Sequence, residues 1–476
     1  MSTETEADLE RAIAAIVEDP SRKKLVVAGP GTGKTWLFER LLQHTRGDTE
    51  KRLVLTFINN LKDDLEGKLS ELATVRTLHG FCQRVMRDDK ALRGRLSPGF
   101  RCQPLLAALI QSDWTFLRSG VAPEFVKKMR NRDEGEEIAF YLERGDYYDA
   151  VDFDDSVYRV YLALRSQAGT LPNYELVLVD EYQDFNAVEA AIIDALAQNS
   201  PIVVAGDDDQ ALYSQFRGAS WDFIRSLHAG TDYKVFSLPY CLRCPEVIVT
   251  AVNDIVASAM ELEKLDGRID KPYQPYAPVK GEDSKRYPHI ELVSCSVQSL
   301  KSNYFGKYVE EALARIPQEE SEDAKKRSDP LVLLIGSRQY LNEVVQHLEK
   351  RGYAVDRKKD ENKKLAPEDG LQILHEDSKS NLGWRMMLHF EKPEFASTVV
   401  KEAAARGAQV VDVVPADFRA AVEEQVKLWT KEPDSAEPAP EARSAAEAND
   451  GLVVKATSFQ GAKGLSAYHS VSYRDA

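Results

Sequence analysis

The chain has 476 residues, 43% of them hydrophobic and 29% charged, with a formal net charge of −15. That length exceeds what one compact core serves, so roughly two to four domains are expected. The acidic balance, with a pI near 5.2, excludes a histone-like basic binder but not an enzyme with a local basic groove.

No stretch approaches a membrane span, and Met1–Asp19 is acidic, unlike a secretory leader. Five cysteines in so long a chain build no disulfide framework, so a reducing cytoplasm is expected. Cys241 and Cys244 form a CxxC pair with no second Cys or His pair beside it. That spacing alone predicts buried or incidental thiols rather than zinc.

In chain order, the first apolar run, Leu25–Ala28, leads into Gly29-Pro30-Gly31-Thr32-Gly33-Lys34-Thr35 and then an amphipathic stretch from Trp36. A strand, a glycine-rich turn and a helix in this order form a phosphate-binding loop. Glycines let backbone N–H groups cradle phosphate oxygens, Lys34 reaches the β/γ-phosphates, and the Thr35 hydroxyl ligates Mg²⁺. The positive end of the helix from Trp36 points at the same anion. Ala28 stands where the usual pattern has its first glycine.

Three further apolar runs, Leu53–Phe57, Leu176–Val179 and Ile202–Ala205, read as buried parallel strands with helical periodicity between them. Leu92–Asp149 reads as an inserted helical subdomain. A second set of strands is expected to begin near Val235–Leu238 and to include Leu331–Ile335, followed by a helix over Tyr340–Lys350. Ala277–Tyr287 reads as a charged loop. Leu365–Asn449 is mainly helical and ends in an Ala/Pro/Glu-rich linker, Glu432–Asn449. The class is α/β, with ligands expected at the carboxyl ends of the strands.

The run Leu176–Asp184 delivers Asp180 and Glu181 to a strand end. Asp180 suits Mg²⁺ opposite Thr35, and Glu181 suits orienting the attacking water. Val203–Ala219 brings Gln210 to the end of a neighbouring strand, beside the γ-phosphate. Phe216 and Arg217 follow it, an aromatic next to a cation, which suits stacking on single-stranded bases.

These motifs resemble those of superfamily-1 helicases of the UvrD/Rep/PcrA type, and further matches follow in the family's order. Thr56–Asn60 resembles the second motif, whose aromatic and polar residues, here Phe57 and Asn59, touch single-stranded DNA. Thr77–Cys82 resembles the TxHxFC motif, carrying His79, and Asp152–Asp155 resembles a DFDD segment. Leu238–Ile248 resembles the motif whose arginine, here Arg243, reaches the γ-phosphate. Thr457–Leu465, with Ser458 and Gln460, resembles the late motif coupling DNA to nucleotide.

The resemblance implies two RecA-like P-loop NTPase motor domains with parallel sheets, each with a mainly helical insertion. It maps motor domain 1A to residues 1–91 and 150–232 and insertion 1B to 92–149. Motor domain 2A falls on 233–364 and 450–476, and a reduced insertion 2B plus linker on 365–449. It implies an ATP-dependent 3′–5′ DNA helicase or translocase that uses ATP and Mg²⁺. Its expected partners are single-stranded DNA and 3′-tailed duplex, with a nuclease, repair or defence protein as a further partner. The alternative is a nucleotide-gated DNA- or protein-binding module with little or no unwinding.

The departures are specific. Met1–Lys24 contains no Gln to read adenine, and the family's adenine-stacking Tyr is Leu242, with Tyr240 close by. Phe216 replaces a Trp, Gln460 a His and Ser466 a Glu. The family's final motif, with a second γ-phosphate arginine, has no counterpart before Ala476, which makes a C-terminally incomplete motor domain 2A the expectation.

Overall fold

A computed structural model of the protein describes residues 2–45, 47–57, 59–118, 120–211, 218–292, 304–327, 330–357, 365–429, 453–458, 462, 465 and 467–472. The chain divides into two compact units, Met1–His289 with Lys364–Thr430, and Ile290–Lys363 with Lys431–Ala476. The α/β class and the parallel sheets are as expected.

The first unit is built on six parallel strands. In chain order they are β1 (Lys23–Ala28), β2 (Arg52–Thr56) and β3 (Thr74–Thr77), then, after the short bridge of β4 (Arg101–Cys102) with β5 (Ala150–Val151), β6 (Leu176–Val179), β7 (Ile202–Gly206) and β8 (Lys234–Leu238). The order across the sheet is β3-β2-β6-β7-β1-β8. Side chains alternate between the two faces. Leu25, Val27, Val177, Val179 and Val204 enter one core, and Val26, Ala28, Leu178, Val203 and Ala205 the other. Both faces are covered, so each strand reads as an unbroken apolar run.

Two strands differ from expectation. β3 was not foreseen, because TVRT is a polar edge segment with only Val75 buried. Val235–Leu238 does not open a second sheet; it closes the first, with Lys24 opposite Lys234 and Ala28 opposite Leu238 in parallel register with β1. The boundary expected after residue 232 therefore lies inside the first unit. Ala277–Arg286 is a helix rather than a loop.

The segment from 365 also departs from its expected domain. Its helices, including Pro367–Glu376, Asn381–His389 and Pro393–Arg406, belong to the first unit and pack on the 92–149 helices. Arg385 Nε bonds Asp113 Oδ1 at 2.7 Å, and Arg144 Nε bonds Asp113 Oδ2 at 2.8 Å. Tyr147 OH donates to the Ala408 carbonyl at 2.8 Å. A fully buried carboxylate shared by two arginines is intolerable unless every member stays in place, and this holds the segment there. The linker 432–449 lies outside the described residues.

The second unit carries a sheet of β11 (Val332–Ile335), β12 (Ala354–Arg357), β13 (Val453–Thr457) and β14 (His469–Ser472), all parallel, in the order β12-β13-β11-β14. The strand expected at 331–335 and the following helix, Arg338–Lys350, are both present. β13 is paired on both sides.

Candidate nucleotide site

The phosphate loop leaves the carboxyl end of β1. Gly31 and Gly33 have φ of +71° and +90°, a left-handed backbone that side chains resist. Thr32 Oγ1 donates to the Gly29 carbonyl at 2.9 Å, bracing the turn. The helix Lys34–His44 starts immediately after it.

Lys34 is buried, with Nζ 3.3 Å from Glu181 Oε1 and 3.4 Å from the Ala28 carbonyl. Burial alone would discourage its charge. Glu181 foremost, then Asp180 and Asp207, outweigh that and hold its pKa raised. β6 delivers this acidic pair, and the Asp180 N–H is fixed by the Leu55 carbonyl at 2.9 Å. Glu181 sits at φ +53°, ψ 47°, a left-handed conformation uncommon for a non-glycine residue and found at functional turns.

β7 lies between β6 and β1, so its end completes the same rim. Gln210 Nε2 donates to Asp207 Oδ2 at 2.6 Å. Gln183, fully buried, joins the two strand ends: its Nε2 donates to Glu181 Oε2 at 2.5 Å and its Oε1 accepts from the Asp207 N–H at 3.0 Å. Lys34, Asp180, Glu181 and Gln210 are thus brought together from three strands. Thr35 and Trp36 are half-buried at the start of the helix, and Arg40 lies over the Trp36 ring at 5.3 Å.

Arg243 is exposed and belongs to the same unit as the phosphate loop. The segment carrying it, β9 (Tyr240–Cys241) and the residues after it, lies against that loop: the Leu242 N–H donates to the Gly31 carbonyl at 2.8 Å. β9 pairs with β10 (Gln274–Pro275), which brings in Tyr273. Its hydroxyl donates to the Pro30 carbonyl at 3.0 Å, and its ring would stand 2.8 Å from a Cβ placed on Gly29.

Three contributors escaped the sequence reading. Gln183 was within the quoted acidic run and signalled by its place there. Tyr273 and Lys271 have no motif. Lys271 Nζ touches Asp207, Asp208 and Asp209 at 2.8, 2.7 and 2.8 Å, and Arg268 and Arg225 complete the neutralisation. That aspartate triplet has the spacing of a cation site, but the lysine ammonium fills the role. Asp180 and Thr35 suit Mg²⁺ better: Asp180 and Glu181 both act on the one Lys34, so an extra cation fits the local charge.

The expected DNA contacts fare differently. Phe57 is a core residue, 3% exposed and edge-on to Phe185, because an aromatic at the end of a covered strand buries itself. His79 is buried too, 3.3 Å from Glu189, with Phe153 against its ring. Asn59 opens the helix Asn59–Leu69, but its side chain lies outside the described residues, as do Phe216, Arg217 and Gln460. Ser458 follows β13 in the second unit.

Residues 9–129 and 118–231 match the model of the UvrD/REP helicase N-terminal domain. Over this segment the chain is similar to that family. The matched segment holds the phosphate loop, Asp180, Glu181 and Gln210. The ATP-dependent DNA helicase UvrD1 of Mycobacterium leprae (strain TN) is 25% identical over 290 residues, 49% of this chain and 37% of that protein. The ATP-dependent DNA helicase PcrA of Leuconostoc citreum is 26% identical over 289 residues, 51% and 38% of the two chains. The ATP-dependent DNA helicase srs2 of Schizosaccharomyces pombe is 25% identical over 269 residues, 44% and 30%. The chain thus spans under two fifths of the length of each of these relatives. No helix among the described residues is long and apolar enough to cross a membrane.

Proposed function

We propose that this UvrD-like chain is an ATP-dependent DNA translocase or helicase, moving 3′–5′ on single-stranded DNA in the cytoplasm. The carrying observation is the convergence of Lys34 on Glu181 at 3.3 Å, with Gln183 and Gln210 tied to Asp207 beside them. Phosphoryl transfer asks a protein mainly to position groups and neutralise charge, and this rim does both.

In this reading the loop N–H groups and Lys34 hold the β/γ-phosphates. Glu181 orients the attacking water, Gln210 reports the γ-phosphate to the rest of the unit, and Arg243 neutralises charge as the bond breaks. Thr35 and Asp180 would hold Mg²⁺, which would supply further charge neutralisation on the phosphates. The first unit's sheet serves as motor domain 1A with insertion 1B, and the second unit as motor domain 2A. The proposed single-stranded-DNA contacts are Asn59, Phe216 and Arg217 in the first unit and Ser458 and Gln460 in the second, and a nuclease, repair or defence protein is the proposed further partner.

The burial of Phe57 and His79 favours a second reading, nucleotide-gated binding with little or no unwinding. Two assays on one preparation separate them. ATP hydrolysis stimulated by single-stranded DNA, lost in Lys34→Ala, supports the motor. Stimulated hydrolysis without displacement of a 3′-tailed duplex supports the gated binder. Absence of any stimulation rejects the motor reading.

A further inference from the structure

Cys241 and Cys244 flank Leu242 and Arg243, in the segment that touches the phosphate loop. Cys241 is fully buried and Cys244 is half-exposed. The Cys244 N–H donates to Cys241 Sγ at 3.4 Å, so the two residues already fold toward each other. A 16-residue helix, Glu246–Glu261, begins two residues later. A Cβ on Gly31 would lie 3.2 Å from Cys241 Sγ and 2.6 Å from Arg243 Cβ. The sulfur is therefore a wall of the phosphate loop.

We infer that Cys241 and Cys244 are a reversible dithiol–disulfide pair whose oxidation resets the phosphate loop and the backbone that carries Arg243. The oxidant class is a small-molecule disulfide. The half-exposed Cys244 passes its S–H proton along the hydrogen bond to the Cys241 thiolate and attacks one sulfur of that disulfide, forming a mixed disulfide and releasing one thiolate, which then takes that proton from Cys241. The Cys241 thiolate then attacks Cys244 Sγ, forming the internal disulfide and releasing the second thiolate. Two protein thiols are oxidised, the small disulfide is reduced to two thiols, and the protons from the cysteines go to them.

The surroundings suit the second step. The Cys244 S–H foremost, and also the Tyr273 hydroxyl and the backbone N–H groups of Cys244 and Arg243, hold the Cys241 thiol far below its ordinary range, to about 5, against the opposing effect of burial. Cys244 is pushed up by the same hydrogen bond and by burial. Closing an S–S bond of about 2 Å moves Cys241 Sγ, which stands against Gly31. It also changes the sulfur beside Tyr273, whose hydroxyl holds the Pro30 carbonyl. The Leu242 N–H that donates to the Gly31 carbonyl belongs to the covalent ring that bond closes. Oxidation therefore acts on Pro30 and Gly31 directly.

The consequence for nucleotide rests on the function proposed above, so the test reads the loop first without nucleotide. The full native chain is equilibrated in reduced and oxidised glutathione. The Cys241–Cys244 disulfide is counted by differential alkylation and mass spectrometry, and amide hydrogen exchange is followed across residues 28–35. Expected are a disulfide that forms and reverses with the buffer and a severalfold change in exchange at Gly31–Thr35. Weaker binding of a fluorescent ATP analogue, on the order of tenfold, should accompany it. Cys244→Ser should abolish the exchange response, with Cys241→Ser as the second variant, and Cys102→Ser should retain it. The inference fails if glutathione disulfide oxidises the pair only in the denatured chain. It fails equally if the disulfide forms while exchange at 28–35 is unchanged, or if Cys102→Ser removes the response. A loop that responds in a chain binding no nucleotide in either form upholds the redox pair and rejects the nucleotide reading.

Discussion

Lys34 and Glu181 face each other across the phosphate loop, the ammonium 3.3 Å from the carboxylate Oε1. The lysine is neutralised by the acid assigned to water. Nucleotide phosphates and Glu181 thus compete for the same cation, and binding should release Glu181 for its other task.

Lys34→Ala should abolish ATP hydrolysis, a fall of at least about 100-fold, because a charged donor to the transferring phosphate is lost. The unfolding midpoint should move little. Glu181→Gln should keep nucleotide binding and stall turnover. Single-turnover hydrolysis and equilibrium binding on both variants check this; equal binding losses would contradict the assigned roles.

Gly31 and Gly407 make a matched pair. Both have left-handed φ, +71° and +59°, yet a Cβ meets Arg243 at 2.6 Å at Gly31 and open space at Gly407. Gly407→Ala should cost only the backbone penalty, about 1–2 kcal/mol, and leave nucleotide affinity unchanged. Gly31→Ala should in addition displace the 241–243 segment and weaken nucleotide binding by roughly tenfold or more. Denaturation curves and titrations with a fluorescent nucleotide read the two effects separately.

Base choice should be loose. A site that hydrogen-bonds a base edge rejects the wrong base strongly, whereas apolar contact discriminates weakly. Leu242 stands against the loop, 3.0 Å from a Cβ on Gly33, where a stacking tyrosine was expected. GTP and CTP should compete within about tenfold of ATP. Competition binding decides it, and a much stronger ATP preference would assign adenine reading to Tyr240 or Tyr273.

Asp113 is fully buried and serves Arg144, Arg385 and Tyr148. Asp113→Ala strands two buried guanidinium groups, so a loss of about 3–5 kcal/mol is expected. Hydrogen exchange should rise in both the 106–148 helices and the 367–406 helices, since the aspartate joins them. A loss confined to one group would mean that they do not unfold together.

Burial foremost, then Asp155 and Asp154, push the Asp152 carboxyl up to about 7. A raised carboxyl pKa means that the folded state keeps a proton the unfolded chain has released. This group's contribution to stability is therefore complete below its unfolded pKa and is lost as pH rises toward 7. Asp152→Asn removes that slope and keeps an acceptor oxygen for the Asp155 N–H, while its Nδ2 donates to the Tyr141 oxygen instead of accepting from it. The variant should gain on the wild type between about pH 4 and 7, by at most about 1.4 kcal/mol per unit. Urea denaturation across that range measures the difference, and a gap independent of pH would refute the assignment.

Local chemistry was sufficient for the first half of the site. A phosphate loop needs left-handed glycines, a lysine and a hydroxyl in consecutive positions, so Gly31, Gly33, Lys34 and Thr35 were legible as a string. Four buried strands were legible because a sheet covered on both faces leaves only apolar residues. What the sequence could not express is pairing between distant segments. Which sheet takes Lys234–Leu238 depends on a register with β1 that no residue in the strand encodes. The home of 365–428 depends on Arg385 meeting Asp113, 272 positions earlier. Phe57 and His79 carried the right residue types for nucleic acid, but only packing decided that Phe185 and Glu189 would cover them. Lys271 reached the aspartates after β7, and Tyr273 and Cys241 the phosphate loop, in the same way: short-range pattern specifies an element, while long-range packing specifies what stands beside it.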